Sequence, residues 1–206
     1  MWRLIKSEKI TAWIAFLLSV FTIYQQYAFE QPNVELKVKN IWKIPWTFTP
    51  FNTNIPEYYT SFIFYVQITN TGGTPIALEN FNAEILKNGK YQSLYYLEDT
   101  DSFLLGTLNI MFQKGIDSLV ANRIDKFNYL EVGQSKSGFY FSISMDYSDG
   151  IKFTQAVKII CYDKTGKKHE FITDLTNKNN YLPTEEIERQ SGVVFNEKII
   201  QHVQTN

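Results

Sequence analysis

Two hydrophobic rhythms divide this chain. From Ile10 to Tyr24 the sequence reads ITAWIAFLLSVFTIY, with no charge and no polar stripe. A helix that is apolar all round suits lipid better than a one-sided core. Extending the run through Gln25, Gln26, Tyr27, Ala28 and Phe29 brings it to the roughly 20 residues that a bilayer core requires. Beyond Pro32 the period drops to two. Val34, Leu36 and Val38 share one face and Glu35, Lys37 and Lys39 the other, which predicts a half-buried strand. Ser61–Asn70 (SFIFYVQITN) predicts a second strand, with Phe62, Phe64, Val66 and Ile68 pointing inward, ended by the turn residues Thr71-Gly72-Gly73-Thr74-Pro75.

The alternation continues. Ile76–Leu86 closes on Asn88-Gly89, a type I′ hairpin signal, and Tyr91–Leu97 returns. Gly138–Tyr147 places Phe139, Phe141, Ile143, Met145 and Tyr147 on one face, before a second hairpin signal at Asp149-Gly150. Ile151–Tyr162 and Lys168–Ile172 flank a third turn, Asp163-Lys164-Thr165-Gly166. Between Glu98 and Leu130 the pattern is weak, and Gly115–Phe127 suits either a short helix or a loop. Near the end, Thr184 is placed to cap a short helix whose first turn carries Glu185 and Glu186 and which Ser191-Gly192 ends. Val193–Val203 suits a further strand or helix.

Short strands separated by turns, with no strand–helix alternation, predict an all-β sandwich. The expected fold class is therefore mainly β: a single N-terminal transmembrane helix followed by an immunoglobulin-like β-sandwich. The expected division is a head and anchor over 1–29, a sandwich over 30–182, and a tail over 183–206 holding a short helix and an extended segment.

One stretch departs from this pattern. Ile41–Tyr59 contains Pro45, Pro50 and Pro56, a density that argues against a central strand and for an ordered loop or edge. The same stretch carries Trp42, Trp46, Phe48, Phe51, Tyr58 and Tyr59. These rings either cap the open end of the sandwich, enter the membrane interface, or form a partner-binding hot spot. Aromatics suit the last two roles because they bury a large area at little entropic cost. They are the candidate partner or membrane-interface contacts.

Charge and composition place the chain more than they explain it. Arg3, Lys6 and Lys9 precede the apolar run, and Lys37, Lys39 and Lys43 follow at a greater distance. That bias favours a cytoplasmic N-terminus with the β domain outside the cell membrane. A cleaved signal peptide would need small residues before the cut, but Gln26-Tyr27-Ala28 has a bulky residue where a small one is needed. A buried helix of a soluble core is the bland alternative. The formal net charge is −1 over 206 residues with scattered Lys and Arg, which gives no nucleic-acid footprint. The single cysteine, Cys161, excludes an intrachain disulfide, and no Asn-x-Ser/Thr sequon occurs.

Candidate chemistry is sparse. His169 and His202 are far apart and have no cysteine at metal-ligand spacing. His169 is expected to be an exposed strand residue, and Cys161, within an apolar run, a buried one. Glu98-Asp99-Thr100-Asp101 and Asp146…Asp149 lack calcium-loop spacing. Neither a GxxxxGK[ST] phosphate loop nor a GxSxG elbow is present. The sequence thus yields no catalytic, cofactor or metal residue.

Three phrases occur in combination: VQITNTGGTPIALENFNAEI at Val66–Ile85, LEVGQSKSGFYFSI at Leu130–Ile143, and VKIICYDKTGKKHEF at Val157–Phe171. Together they resemble immunoglobulin-like sandwich domains of bacterial envelope proteins, without the antibody Cys…Trp…Cys pattern. The plan of an N-terminal helix before a β-rich domain is also similar to small bacterial membrane effectors of phage defence, whose β domain senses a nucleotide signal. Those usually have two spans, and only one is read here. The resemblance implies a non-enzymatic, membrane-anchored module that binds a protein partner or self-associates in a bacterial envelope. The alternative is a membrane effector or sensor whose cytosolic β domain binds a small ligand.

Overall fold

The structure, a computed structural model, describes residues 2–29, 32–48, 55, 57–96, 112–114, 122–126, 129–145, 155–176, 182–196 and 201–202. The chain opens with helix α1 (Trp2–Phe29) and continues as a mainly β unit. Strands β1 (Val34–Phe48) and β2 (Glu57–Asn70) form a long antiparallel hairpin. β3 (Leu78–Lys87) and β4 (Lys90–Ser93) form a tight one, and β5 (Tyr95–Tyr96) follows. Then come β6 (Phe112–Lys114), a 3₁₀ turn at Ile124–Lys126, β7 (Ser135–Ser144), β8 (Ala156–Asp163) and β9 (Lys168–Asp174). Helix α2 (Thr184–Ser191), β10 (Val194–Phe195) and β11 (Gln201–His202) complete the order.

Two antiparallel sheets hold the core, one ordered β11-β1-β2-β7-β5 and the other β4-β3-β8-β9. Val34, Leu36, Val38 and Ile41 of β1 and Phe62, Phe64, Val66 and Ile68 of β2 meet Leu78, Ala83 and Ile85 of β3 and Val157, Ile159 and Cys161 of β8. Each Ile or Phe so buried contributes about 1.5–3 kcal/mol. The inward set expected for β2 is the one observed. The Asn88-Gly89 turn forms with both residues at positive φ (52° and 73°), as a type I′ turn requires.

The five-stranded sheet is buried on its second face as well. Trp42 and Ile44 of β1, Ile63 and Tyr65 of β2, and Phe139 and Phe141 of β7 pack against Ile187, Val193 and Phe195 of the tail. Phe139 and Phe141, which share one face of β7 as the alternation predicts, are buried beneath the tail, and Tyr140 between them faces the inter-sheet core. A bulge between Val38 and Asn40 brings Trp42 and Ile44 onto this outer face by reversing which alternate residues of β1 face inward. Side chains of its neighbours satisfy it. Val38 N–H donates to Thr173 Oγ1 (3.4 Å), Ile41 N–H to Asn40 Oδ1 (2.7 Å), and Asn40 Nδ2 to Leu182 O (2.9 Å), while Leu182 N–H donates to Lys39 O (2.9 Å).

Two expectations about these elements need correction. The proline-rich stretch is not wholly a loop, because residues 41–48 belong to β1 and 57–59 to β2. Pro45 stands opposite Thr60 of β2 within this ladder, and among the described residues β11 pairs with β1 at Trp42 and Lys43. Thr184 is the first residue of α2 rather than its cap. Pro183 occupies the cap position without a side-chain hydrogen bond, and Gly192 ends the helix in the left-handed conformation at φ 74°. The Asp149-Gly150 turn, Tyr147, and most of the weakly patterned 98–130 region lie outside the described residues.

Phe64 is wholly buried between the sheets, whereas Ile172 of β9 is exposed. In urea unfolding of the same protein, Phe64→Ala is expected to lower stability by about 3–5 kcal/mol. Ile172→Ala is expected to change it by no more than about 0.5 kcal/mol. Equal losses at the two positions would contradict the assigned core.

Candidate functional site

Helix α1 carries most of the large exposed apolar side chains among the described residues. Its 28 residues extend about 42 Å. Every described side chain from Lys9 to Gln26 is exposed, including Ile10, Trp13, Phe16, Leu17, Leu18, Phe21 and Ile23. Its mid-helix hydroxyls are satisfied within the helix: Ser19 Oγ donates to Ala15 O and Thr22 Oγ1 to Leu18 O, both at 2.8 Å. However, no helix among the described residues is long and apolar enough to cross a membrane. The physical reason lies in the ends of the run. The uncharged Ile10–Tyr24 stretch rises about 22 Å against a hydrocarbon core of about 30 Å, and Lys9, Gln25 and Gln26 border it. The spanning helix expected from the sequence is thus present as a helix but falls short in apolar length.

The aromatic stretch is divided between different environments. Trp42 is fully buried, its ring stacked on Phe195 with centroids 4.3 Å apart. Tyr59 is half-buried and stands opposite Trp46 in the β1–β2 register, where Tyr58 pairs with Thr47 and Phe48 with Glu57. Phe51 lies outside the described residues. Among the described residues β7 pairs with β2 from Thr60 onward, and the strand segments 46–48 and 57–59 pair with each other beyond that point. β1 has 15 residues, which sets Val34 and Phe48 about 46 Å apart. The aromatic end of the hairpin is therefore at the far end of the sandwich from the point where α1 joins, despite its proximity in sequence.

A polar cluster that the sequence reading missed closes the β8–β9 turn. Asp163 and His169 are both buried, and His169 Nε2 lies 2.9 Å from Asp163 Oδ2. His169 was expected to be exposed. Instead, alternation along β9 turns it inward with Phe171, whose ring lies parallel to the imidazole. Asp163 Oδ1 accepts from Thr165 Oγ1 (2.5 Å) and from the backbone N–H groups of Thr165 (2.9 Å) and Lys167 (3.0 Å). Burial pushes the Asp163 carboxyl up, but bonds from Thr165, His169 and the two backbone groups outweigh it and hold the pKa at about 2. The Asp-x-Thr-Gly order is a side-chain-stabilised turn, a signal that was available in the sequence. Cys161 is buried, and burial together with nearby Asp163 pushes its thiol up to about 12, which makes it inert at neutral pH.

A second cluster also escaped the sequence. Arg123, almost wholly buried, donates through Nε (3.0 Å) and an Nη (2.9 Å) to the two carboxylate oxygens of Asp125, with its guanidinium 5.6 Å from the Phe141 ring centre. The fork geometry and the ring contact make it a structural clamp for the turn ahead of β7. Among the described residues no group of three or more His, Cys, Asp or Glu could hold a metal ion. The acidic runs at 98–101 and 146–149 lie outside those residues, and of His202 only the pairing of β11 with Trp42 is described.

No family model matches this sequence, and no curated protein matches it. Two solved structures are similar at low identity. One is a lipoprotein candidate, ycdA, from Bacillus subtilis subsp. subtilis str. 168, with a TM-score of 0.38 and 12% identity over 73% of this chain. This chain spans 40% of that protein's length. The other is the Northeast Structural Genomics Consortium target SoR45, with a TM-score of 0.31 and 10% identity over 71% of this chain and 84% of the other. At these scores neither bears on function.

Two outcomes are expected of these clusters. The Asp163 pKa is lower in the folded protein than the usual carboxylate value near 3.9, so its stabilisation is complete above about pH 4 and is lost as pH falls towards 2. Chemical denaturation across that range should show the loss in the native protein and a flatter profile in Asp163→Ala. Parallel profiles would remove the assigned role. Phe195→Ala should cost about 3 kcal/mol in the same assay, because Trp42 loses its stacked cover. A neutral effect would mean the tail does not cover the sheet in solution.

Proposed function

We propose that this protein is a membrane-attached β-sandwich that presents the aromatic end of its long hairpin to a protein partner or to another copy of itself, in a bacterial envelope. The observation that carries the reading is the separation of two surfaces, with apolar α1 joined at one end of β1 and the aromatic ribbon at the other, about 46 Å away. A helix apolar on every side and exposed on every side needs cover, and lipid supplies it without a complementary partner. Internal satisfaction of Ser19 and Thr22 fits that solvent. The uncharged stretch reaches across a bilayer only where the bilayer thins and flanking residues such as Lys9 extend towards the headgroups. Arg3, Lys6 and Lys9 favour a cytoplasmic N-terminus with the sandwich on the outer side.

The reading is non-enzymatic and assigns no cofactor. Cytosolic placement with a small ligand bound by the β domain is the second reading, and sidedness separates the two. Met145 is exposed near the far end of β7, and native Cys161 is too buried and too weakly acidic to react. In intact cells, Met145→Cys should therefore label with an impermeant maleimide, while the unmodified chain should not. Protection of the new cysteine until lysis would overturn the outer placement and favour the cytosolic one. Deleting Met1–Phe29 should release a folded domain from the membrane fraction. Unfolding or insolubility of that product would make α1 part of the core.

A further inference from the structure

The end of the sandwich nearest α1 is built from three loops. Val34 pairs with Asn70, which fixes the start of β1 there. Asn70 then organises its neighbours: Nδ2 donates to Thr74 O (2.8 Å) and Leu130 O (3.1 Å), its Oδ1 accepts from Gly72 N–H (3.0 Å), and its backbone O accepts from Gly133 N–H (3.0 Å). Ile76 bridges to Leu130, and Leu78 stands opposite Asp163. Loops 71–75, 129–134 and 163–167 therefore share one end. Asn33 ties the incoming chain to the first of them: its backbone O accepts from Thr71 N–H (2.9 Å) and Gly72 N–H (3.1 Å), and its Nδ2 donates to Thr71 Oγ1 (3.0 Å).

This short, pinned connection limits where the end can lie. Phe29 ends α1 and Val34 begins β1, so fully extended chain separates them by at most about 17 Å. If lipid holds α1, these three loops lie close to its surface. They carry the residues such a position requires. Tyr129 and Val132 are 48% and 51% exposed, large apolar groups at loop positions. Lys164 and Lys167 are exposed on the third loop, and Lys136 Nζ donates to Tyr129 O (3.0 Å). The exposed acid among them is Glu131, while the Asp163 carboxylate is turned inward onto His169 and the turn backbone. Cations thus outnumber exposed acids, and the turns that display them are braced by left-handed Gly133 (φ 72°) and Gly166 (φ 82°).

We infer that this end of the sandwich rests on the bilayer that holds α1, with Tyr129 and Val132 in the headgroup layer and Lys164 and Lys167 against anionic lipid phosphates. Tyrosine suits the boundary because its ring is apolar and its tip polar, and lysine because its stem covers apolar surface while its ammonium reaches phosphate. The inference rests on the membrane reading of α1. It adds that the domain is held upright on the surface rather than tethered loosely above it.

The test uses the full chain in liposomes of phosphatidylcholine doped with phosphatidylglycerol. An environment-sensitive fluorophore is placed at Val132→Cys, or at Met145→Cys near the opposite end. Headgroup-attached nitroxide should quench position 132 several-fold more than position 145, with blue-shifted emission at 132. Lys164→Glu combined with Lys167→Glu should reduce the quenching at 132 roughly twofold, as should added salt. Equal quenching at the two positions, or stronger quenching at 145, overturns the docked orientation. Unchanged quenching in the double variant overturns the lipid contact of the lysines. Flotation with the liposomes separates the two levels. A chain that floats but is unquenched at 132 defeats this inference alone, whereas one that fails to float defeats the membrane reading and this inference with it.

Discussion

The bulge between Val38 and Asn40 is the constraint from which the rest of the architecture follows. One extra residue in β1 changes the parity of the strand, so Val34, Leu36 and Val38 face the second sheet while Trp42 and Ile44 face away from it. Without that change, the tryptophan would point into the inter-sheet core and the outer face would lose its largest ring. The irregularity also leaves backbone groups that the ladder cannot satisfy. Asn40 and Leu182 take up two of them, which fastens the tail beside the strand it covers. The result is three layers, with β2 shielded on both faces.

Most of the strands could be read in the sequence because a half-buried strand writes its environment in a period of two. Val34–Lys39 and Ser61–Asn70 carry that mark, and both lie in strands with the expected inward residues. The reading weakened where both faces are buried. In Phe139-Tyr140-Phe141, adjacent bulky residues serve opposite layers, and the pattern cannot tell which face meets which. Proline density over 41–59 predicts an ordered loop or edge because composition does not reveal that residues 41–48 and 57–59 pair with each other as the end of a long hairpin.

The candidate site was legible only in outline. The apolar helix and the aromatic cluster stood out by composition, but their separation depends on the length of β1, which required knowing that the strand continues past its bulge. Trp42 gave no sign that its cover comes from Phe195, about 150 residues later. The Asp163–His169 contact depends on hairpin register, which places Cys161 opposite His169 and turns the imidazole back over the turn. Such contacts arise from pairing between segments, and no local property of either residue announces them.

The outer layer also imposes an order in time. Ile187, Val193 and Phe195 emerge from the ribosome after every aromatic residue they shelter. At 5–20 residues per second, the interval between Phe141 and Phe195 is roughly 3–10 s. During that interval Trp42, Tyr65 and Phe139 lack the cover that the tail gives them in the folded protein. If α1 is held in a bilayer as proposed, the nascent chain is kept apart from its neighbours until the last layer arrives.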